Sequence, residues 1–127
     1  MSDELRFPLT AILLAPEPTM WEDALSGRKQ ITIREGHRDY RAGTTAILCC
    51  YILNIAVQVD ITEVRHCRLV QLTEDELKAD GFLDLKDCMT QMKRFYPNIA
   101  FDSEVTVLRW NNIRGSIIDK YRAQFGE

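Results

Sequence analysis

The sequence predicts an α+β domain built on a partly closed β-barrel with flanking helices, and three observations predict it. Several short runs alternate apolar and polar residues or are rich in β-branched side chains. Two or three segments carry apolar residues at helical spacing. These segments do not follow the strand–helix–strand order of a parallel sheet, which leaves a small mixed or barrel-like sheet. A chain of 127 residues with 46% apolar and 28% charged residues is one domain, large enough for a core and too apolar for disorder.

Leu9 to Leu14 is apolar and reads as an opening strand, ended by Pro16 and Pro18. Thr19 reads as the N-cap of a first helix, with Trp21, Ala24 and Leu25 on one face and Trp21 in the core. Gly27 stands where a helix ends in the left-handed conformation. Gln30 to Arg34 then alternates, placing Ile31 and Ile33 inward and Gln30, Thr32 and Arg34 on the other face. Gly43 marks a turn into the run 45–53. A short connection at Asn54 joins it, as a hairpin, to the run 56–65, whose Val57, Val59, Ile61 and Val64 face the core.

Thr73 opens a second helix as a capping box with Glu76, and this helix stops at Gly81. Leu85, Cys88, Met89, Met92 and Phe95 form a further helical stripe that packs as core, ended by Pro97. The run 104–110 is the last strand. The tail, with Ile117, Ile118, Tyr121 and Phe125, reads as a C-terminal helix over about 113–125 that packs on the domain or meets a protein partner.

No apolar run approaches the roughly 18 residues of a membrane span, so no membrane partner is expected. The acidic, polar start does not read as a secretory signal. Four cysteines (Cys49, Cys50, Cys67, Cys88) show no paired-ligand spacing, and only two histidines accompany them. They read as buried free thiols in a reducing, cytoplasmic setting, with no metal site and no cofactor. The net charge is −3, yet five basic residues (Arg28, Lys29, Arg34, Arg38, Arg41) face two acidic ones (Glu35, Asp39) within fourteen positions. One basic surface on an acidic chain suits a focused anionic ligand.

The run Trp21, Leu25, Gly27-Arg28-Lys29, Ile31-Thr32-Ile33-Arg34 resembles the N-terminal signature of the ASCH family. In order there follow the turn at Gly43, Leu72-Thr73-Glu74-Asp75, Asp80-Gly81-Phe82, a helix, Tyr96-Pro97, and Val105 to Leu108. The resemblance covers residues from about 10 to 110 of a single domain spanning 1–127. It implies a PUA-like β-barrel with a cleft that handles RNA. One bacterial branch similar in this motif hydrolyses N4-acetylcytidine, with a lysine, a threonine and a downstream glutamate as its catalytic set. The resemblance carries these roles to Lys29, Thr32 and Asp80. Asp80 is one methylene shorter than that glutamate, Gln30 stands where threonine is common, and Thr44 stands where aspartate is common.

The residues themselves support this chemistry. A desolvated lysine loses proton affinity and acts as a general base, so Lys29 is the candidate base. Thr32 is then the nucleophile or a donor to an oxyanion. Asp80 orients the lysine or accepts from an exocyclic amine. Arg28, Arg34 and Arg38 are candidate contacts for a phosphate or carbonyl, and Tyr40 is the candidate stacking residue. Three function classes follow. One is a cleft that binds RNA or a modified nucleoside. Another is a metal-independent amidohydrolase acting on an N4-acylated cytidine, with a ribonuclease ranked below it. The third is an interaction module using the C-terminal helix.

Overall fold

The computed structural model describes residues 8–115. Five strands, β1 (Ala11–Leu13), β2 (Ile31–Glu35), β3 (Thr45–Cys50), β4 (Ile55–Arg68) and β5 (Glu104–Arg114), form one sheet in the order β1-β3-β4-β5-β2. All neighbours are antiparallel except β1 and β3. The sheet curls into a half-barrel, with three helices beside it: α1 (Pro18–Leu25), α2 (Glu74–Ala79) and α3 (Leu85–Met92). This is the expected α+β, PUA-like, partly closed barrel. No helix among the described residues is long and apolar enough to cross a membrane.

Local chemistry explains most boundaries. The β3–β4 hairpin turns at Asn54, whose φ of 57° is a left-handed value that asparagine tolerates. Strand β4 runs fourteen residues, past the expected end at 65, and shifts register between Ile61 and Glu63. That bulge lets one long strand bend around the barrel, pairing with β3 at its start and β5 along the rest. Val57, Val59 and Ile61 are buried, and Val64 packs against the same core.

Helix α2 begins with the capping box, Thr73 accepting from the Glu76 amide and Glu76 accepting from the Thr73 amide. It closes at Asp80, followed by Gly81 at φ 93°.

Two expectations are corrected. Helix α1 starts at Pro18 with Glu17, not Thr19, at the N-cap, because proline's fixed φ and missing N–H suit the first helical position. The C-terminal helix does not begin at 113, since Ile113 and Arg114 extend β5, where Arg114 pairs opposite Gln58. The rest of that expected helix lies outside the described residues.

Two apolar clusters form the core. Ile12, Trp21, Leu48, Val59, Ile61, Leu108 and Trp110 make one. Ile31, Ile33, Leu69, Leu77, Met92, Val105 and Val107 make the other. Strand β5 contributes to both, because it is buried on both faces.

Glu76 is a charged residue inside this framework, only 4% exposed, and accepts two hydrogen bonds from Arg65 at 2.8 and 2.5 Å. The Arg65 bonds hold its carboxyl below the ordinary value of 4.5, against the raising effect of burial. A lowered folded pKa contributes stability that is present above the unfolded value and lost as pH falls through the folded one. Glu76→Gln should therefore cost about 1–2 kcal/mol at pH 7, reduced because Arg65 is partly solvated. Thermal melts of the two proteins should converge as pH drops below 4.5. A gap that persists undiminished to pH 3 would mean that the pair's charge is not its contribution.

Candidate functional site

The sheet order leaves β1 and β2 as free edges, and these edges face one another across an open seam. A strand edge carries unpaired N–H and C=O groups every second residue. On the β1 side, the Thr10 carbonyl and Leu14 amide bond to β3, so the carbonyls of Ala11, Leu13 and Ala15 turn outward. Side chains meet each of them: Tyr40 Oη donates to Ala11 at 2.5 Å, Arg34 donates to Leu13, and Trp21 Nε1 donates to Ala15 at 3.1 Å. Along β2, the Gln30 carbonyl and Gly36 amide bond to β5 residues, and the Ile33 N–H turns to the seam. It donates to the Asp80 carboxylate.

Between these edges lies a cavity of about 680 Å³, a size suited to a small organic ligand. Its floor carries Lys29, Thr32, Arg34 and Asp80. One side is the chain from Leu13 to Ala15, and the other is an aromatic wall of Phe82, Phe95 and Tyr96. Lys29 and Asp80 form an ion pair whose side chains are only 11% and 9% exposed. Lys29 reaches it from the turn after α1, where its amide donates to the Asp23 carbonyl at 2.9 Å. Asp80 reaches it from the α2 C-cap.

Burial pushes the Asp80 carboxyl upward, against the lowering effects of Lys29, Arg34 and the Ile33 N–H. The pair is thus a carboxylate with raised proton affinity hydrogen-bonded to an ammonium. Thr32, 7% exposed, opens into the same cavity from the polar face of β2.

The remaining lining charges are mostly compensated. Glu17 meets Arg94 at 4.0 Å, and Asp23 meets Arg28 at 3.0 Å. Asp87 accepts from the Leu83 amide at 3.0 Å. Arg34 has no carboxylate within ion-pair distance among the described residues; its guanidinium is held by the Leu13 carbonyl.

The structure brings together four of the residues the sequence nominates, Lys29, Thr32, Arg34 and Asp80. Arg28, Arg38 and Tyr40 do not line the cavity. Arg28 is a solvated partner of Asp23. Arg38 bonds the Glu35 carbonyl through Nε at 2.8 Å, and Tyr40 is spent on the β1 edge. Phe95 is no core residue but 55% exposed on the cavity wall, because α3 ends at Met92 and the chain turns away before reaching it. Phe82 and Tyr96 join it there; their positions in Asp80-Gly81-Phe82 and Tyr96-Pro97 were the signal in the sequence that could have found the wall. Among the described residues no group of three His, Cys, Asp or Glu is arranged to hold a metal, and the four cysteines are free.

No family model matches the chain, and no curated protein gives a significant match. Solved structures do. The ASCH domain from Lactobacillus crispatus JV V101 is 14% identical, over 82% of this chain and 79% of that one, with a TM-score of 0.60. ASCH from Zymomonas mobilis is 12% identical over 89% and 76%, also at 0.60. A protein from Enterococcus faecalis V583 is 15% identical over 94% and 85%, at 0.68. The chain therefore has the fold of ASCH domains.

Removing Lys29 leaves a buried carboxylate without its cation. Lys29→Met should lower stability by about 3 kcal/mol at pH 7.5. Burial of Asp80 is then opposed only by Arg34 and the Ile33 N–H, so protonation relieves the defect, and the gap to the parent should narrow as pH falls toward 5. Lys29→Met combined with Asp80→Asn should recover most of the loss at pH 7.5. Chemical denaturation at both pH values checks this, and a single variant as stable as the parent at pH 7.5 would contradict it.

Proposed function

We propose that the seam cavity binds a nucleoside unit, either within single-stranded RNA or as a free modified nucleoside. The observation that carries this reading is the shared lining of one cavity by a buried Lys29–Asp80 pair, an arginine without a carboxylate partner among the described residues, and an aromatic wall. A base is a planar ring with a hydrogen-bonding edge, and such rings are read by stacking beside fixed polar groups. Phe95 and Tyr96 supply the apolar face. Lys29 and Asp80 supply a donor and an acceptor at fixed positions for the edge. Arg34 meets a phosphate or carbonyl oxygen by giving up the Leu13 carbonyl. The ASCH-type fold and the signature from Gly27 to Arg34 support the same class of ligand.

A second reading is favoured by the presence of Thr32 in the same cavity: removal of an acyl group from an N4-acylated cytidine. Lys29 passes a proton to Asp80, whose raised affinity supports the transfer, and the neutral amine takes the Thr32 proton as Oγ attacks the acyl carbon. The C–N bond breaks as Lys29 returns that proton to the leaving amine. Water then hydrolyses the acyl–threonine ester. Arg34 or a backbone N–H of the seam meets the oxyanion.

Titration of single-stranded RNA and of N4-acetylcytidine, with chromatography for released cytidine, separates the two. Phe95→Ala should weaken binding on the order of tenfold by removing a stacking face. Arg34→Gln should weaken RNA binding and reduce the salt slope by about one. Cytidine release abolished by Lys29→Ala and by Thr32→Ala would establish the second reading. RNA and nucleoside affinities unmoved by Phe95→Ala and Arg34→Gln would place any ligand elsewhere.

A further inference from the structure

The loop from Gly36 to Thr44 joins β2 to β3 and carries two ties across the seam. The Leu9 amide donates to the Asp39 carbonyl at 2.8 Å, and Tyr40 Oη donates to Ala11 at 2.5 Å. This loop is itself held to the sheet through Thr106, a threonine with no exposure at all. Thr106 Oγ1 donates to the Gly36 carbonyl at 2.7 Å and accepts from the Arg38 amide at 2.9 Å. It also lies 3.0 Å from His66 Nδ1. A hydroxyl has one proton, and here Gly36 takes it, so the His66 contact requires the Nδ1–H tautomer. On that oriented ring the loop's His37 stacks, centroids 3.8 Å apart and planes 15° from parallel.

We propose that the His37–His66 stack is an acid-released fastening of the seam loop, and through the loop of β1. Two neutral imidazoles pack face to face. Two imidazolium rings at this distance repel, and the exposed His37 side has room to leave. The surrounding charges act in both directions. Glu104 on β5, 3.8 Å from His37, and Asp39 in the loop favour a charged His66, whereas His37 opposes it; the neighbouring cations are Arg38, next to His37 in the loop, and Arg68, opposite Glu104 on β4. Burial first, and then His37, hold His66 below its ordinary value of 6.5. A depressed histidine pKa contributes stability that is present above 6.5 and lost as pH falls through the folded value. Acidification therefore frees the loop, then the Leu9 and Ala11 ties, and loosens the β1 wall of the cavity. This inference concerns the loop alone and holds whatever the cavity binds.

The test is amide hydrogen exchange by NMR on the ligand-free chain, read as protection factors between pH 7.5 and 5. The Arg38 and Leu9 amides should lose protection about fivefold, the weight of two like charges about 4 Å apart in water. The Leu108 amide, in the middle of β5, should hold. His37→Asn and, as a second variant, His66→Gln should abolish the pH step at both loop amides. A flat parent profile, an equal step in both variants, or an equal loss at Leu108 would overturn the proposal.

Discussion

An open sheet in a small domain has two edges, and everything distinctive here follows from how these two are satisfied. The order β1-β3-β4-β5-β2 brings them face to face without letting them pair. Had they paired, the barrel would be closed and its seam filled with backbone hydrogen bonds. Side chains serve in their place. Tyr40 and Arg34 cover two β1 carbonyls, Trp21 covers that of Ala15 just beyond the strand, and Asp80 covers a β2 amide. Side chains are longer than the roughly 4.8 Å spacing of paired strands, so the edges stand apart and a cavity opens between them. The same groups that blunt the edges against aggregation thus create a polar pocket inside an apolar shell.

The Lys29–Asp80 pair is the costliest member of this arrangement. Removing two charges from water is expensive, and their attraction repays it only when the remaining donors and acceptors are also met. Here the carboxylate takes both Lys29 and the Ile33 N–H. Its position is strained electrostatically, since burial still outweighs its partners in setting its proton affinity. The effect reaches nearby Cys88, whose thiol is pushed up to about 12, first by burial and then by Asp80. A thiol so far from ionising is inert and packs as an apolar group beside Met92. Replacing a buried ion pair by apolar residues of similar volume is often neutral or stabilising, so the pair's contribution to stability does not by itself account for its place on the cavity floor.

What the sequence made legible was local. The capping box at Thr73, the turn at Gly81, the alternation of β2 and the inward valines of β4 depend on neighbours within a few positions, and each appears in the fold. Lys29, Thr32 and Arg34 were legible because they share one short motif. What was not legible depends on partners far along the chain. Tyr40 reads as a free aromatic in a basic loop until its hydroxyl is seen on Ala11, 29 residues away. Thr106 reads as an ordinary strand former, yet it joins Gly36, Arg38 and His66. Phe95 fits a helical stripe by spacing, but the helix ends before reaching it, and periodicity alone cannot say where a helix stops.

The two core clusters explain why the seam can be both open and stable. Trp21, Leu48 and Val59 stabilise the side holding β1, and Ile31, Leu77 and Met92 stabilise the side holding β2. Strand β5 is the shared wall, with Leu108 and Trp110 in the first cluster and Val105 and Val107 in the second. Leu14 of the first cluster and Ile33 and Met92 of the second reach the cavity and form part of its lining. The cavity lies where the clusters stop short of each other, so a ligand there touches elements belonging to both. Its binding free energy must then include whatever it costs to hold β1 at the right distance from β2. The ties that set that distance, from Arg34, Tyr40 and the loop on Thr106, are therefore part of the site even where they never touch its contents.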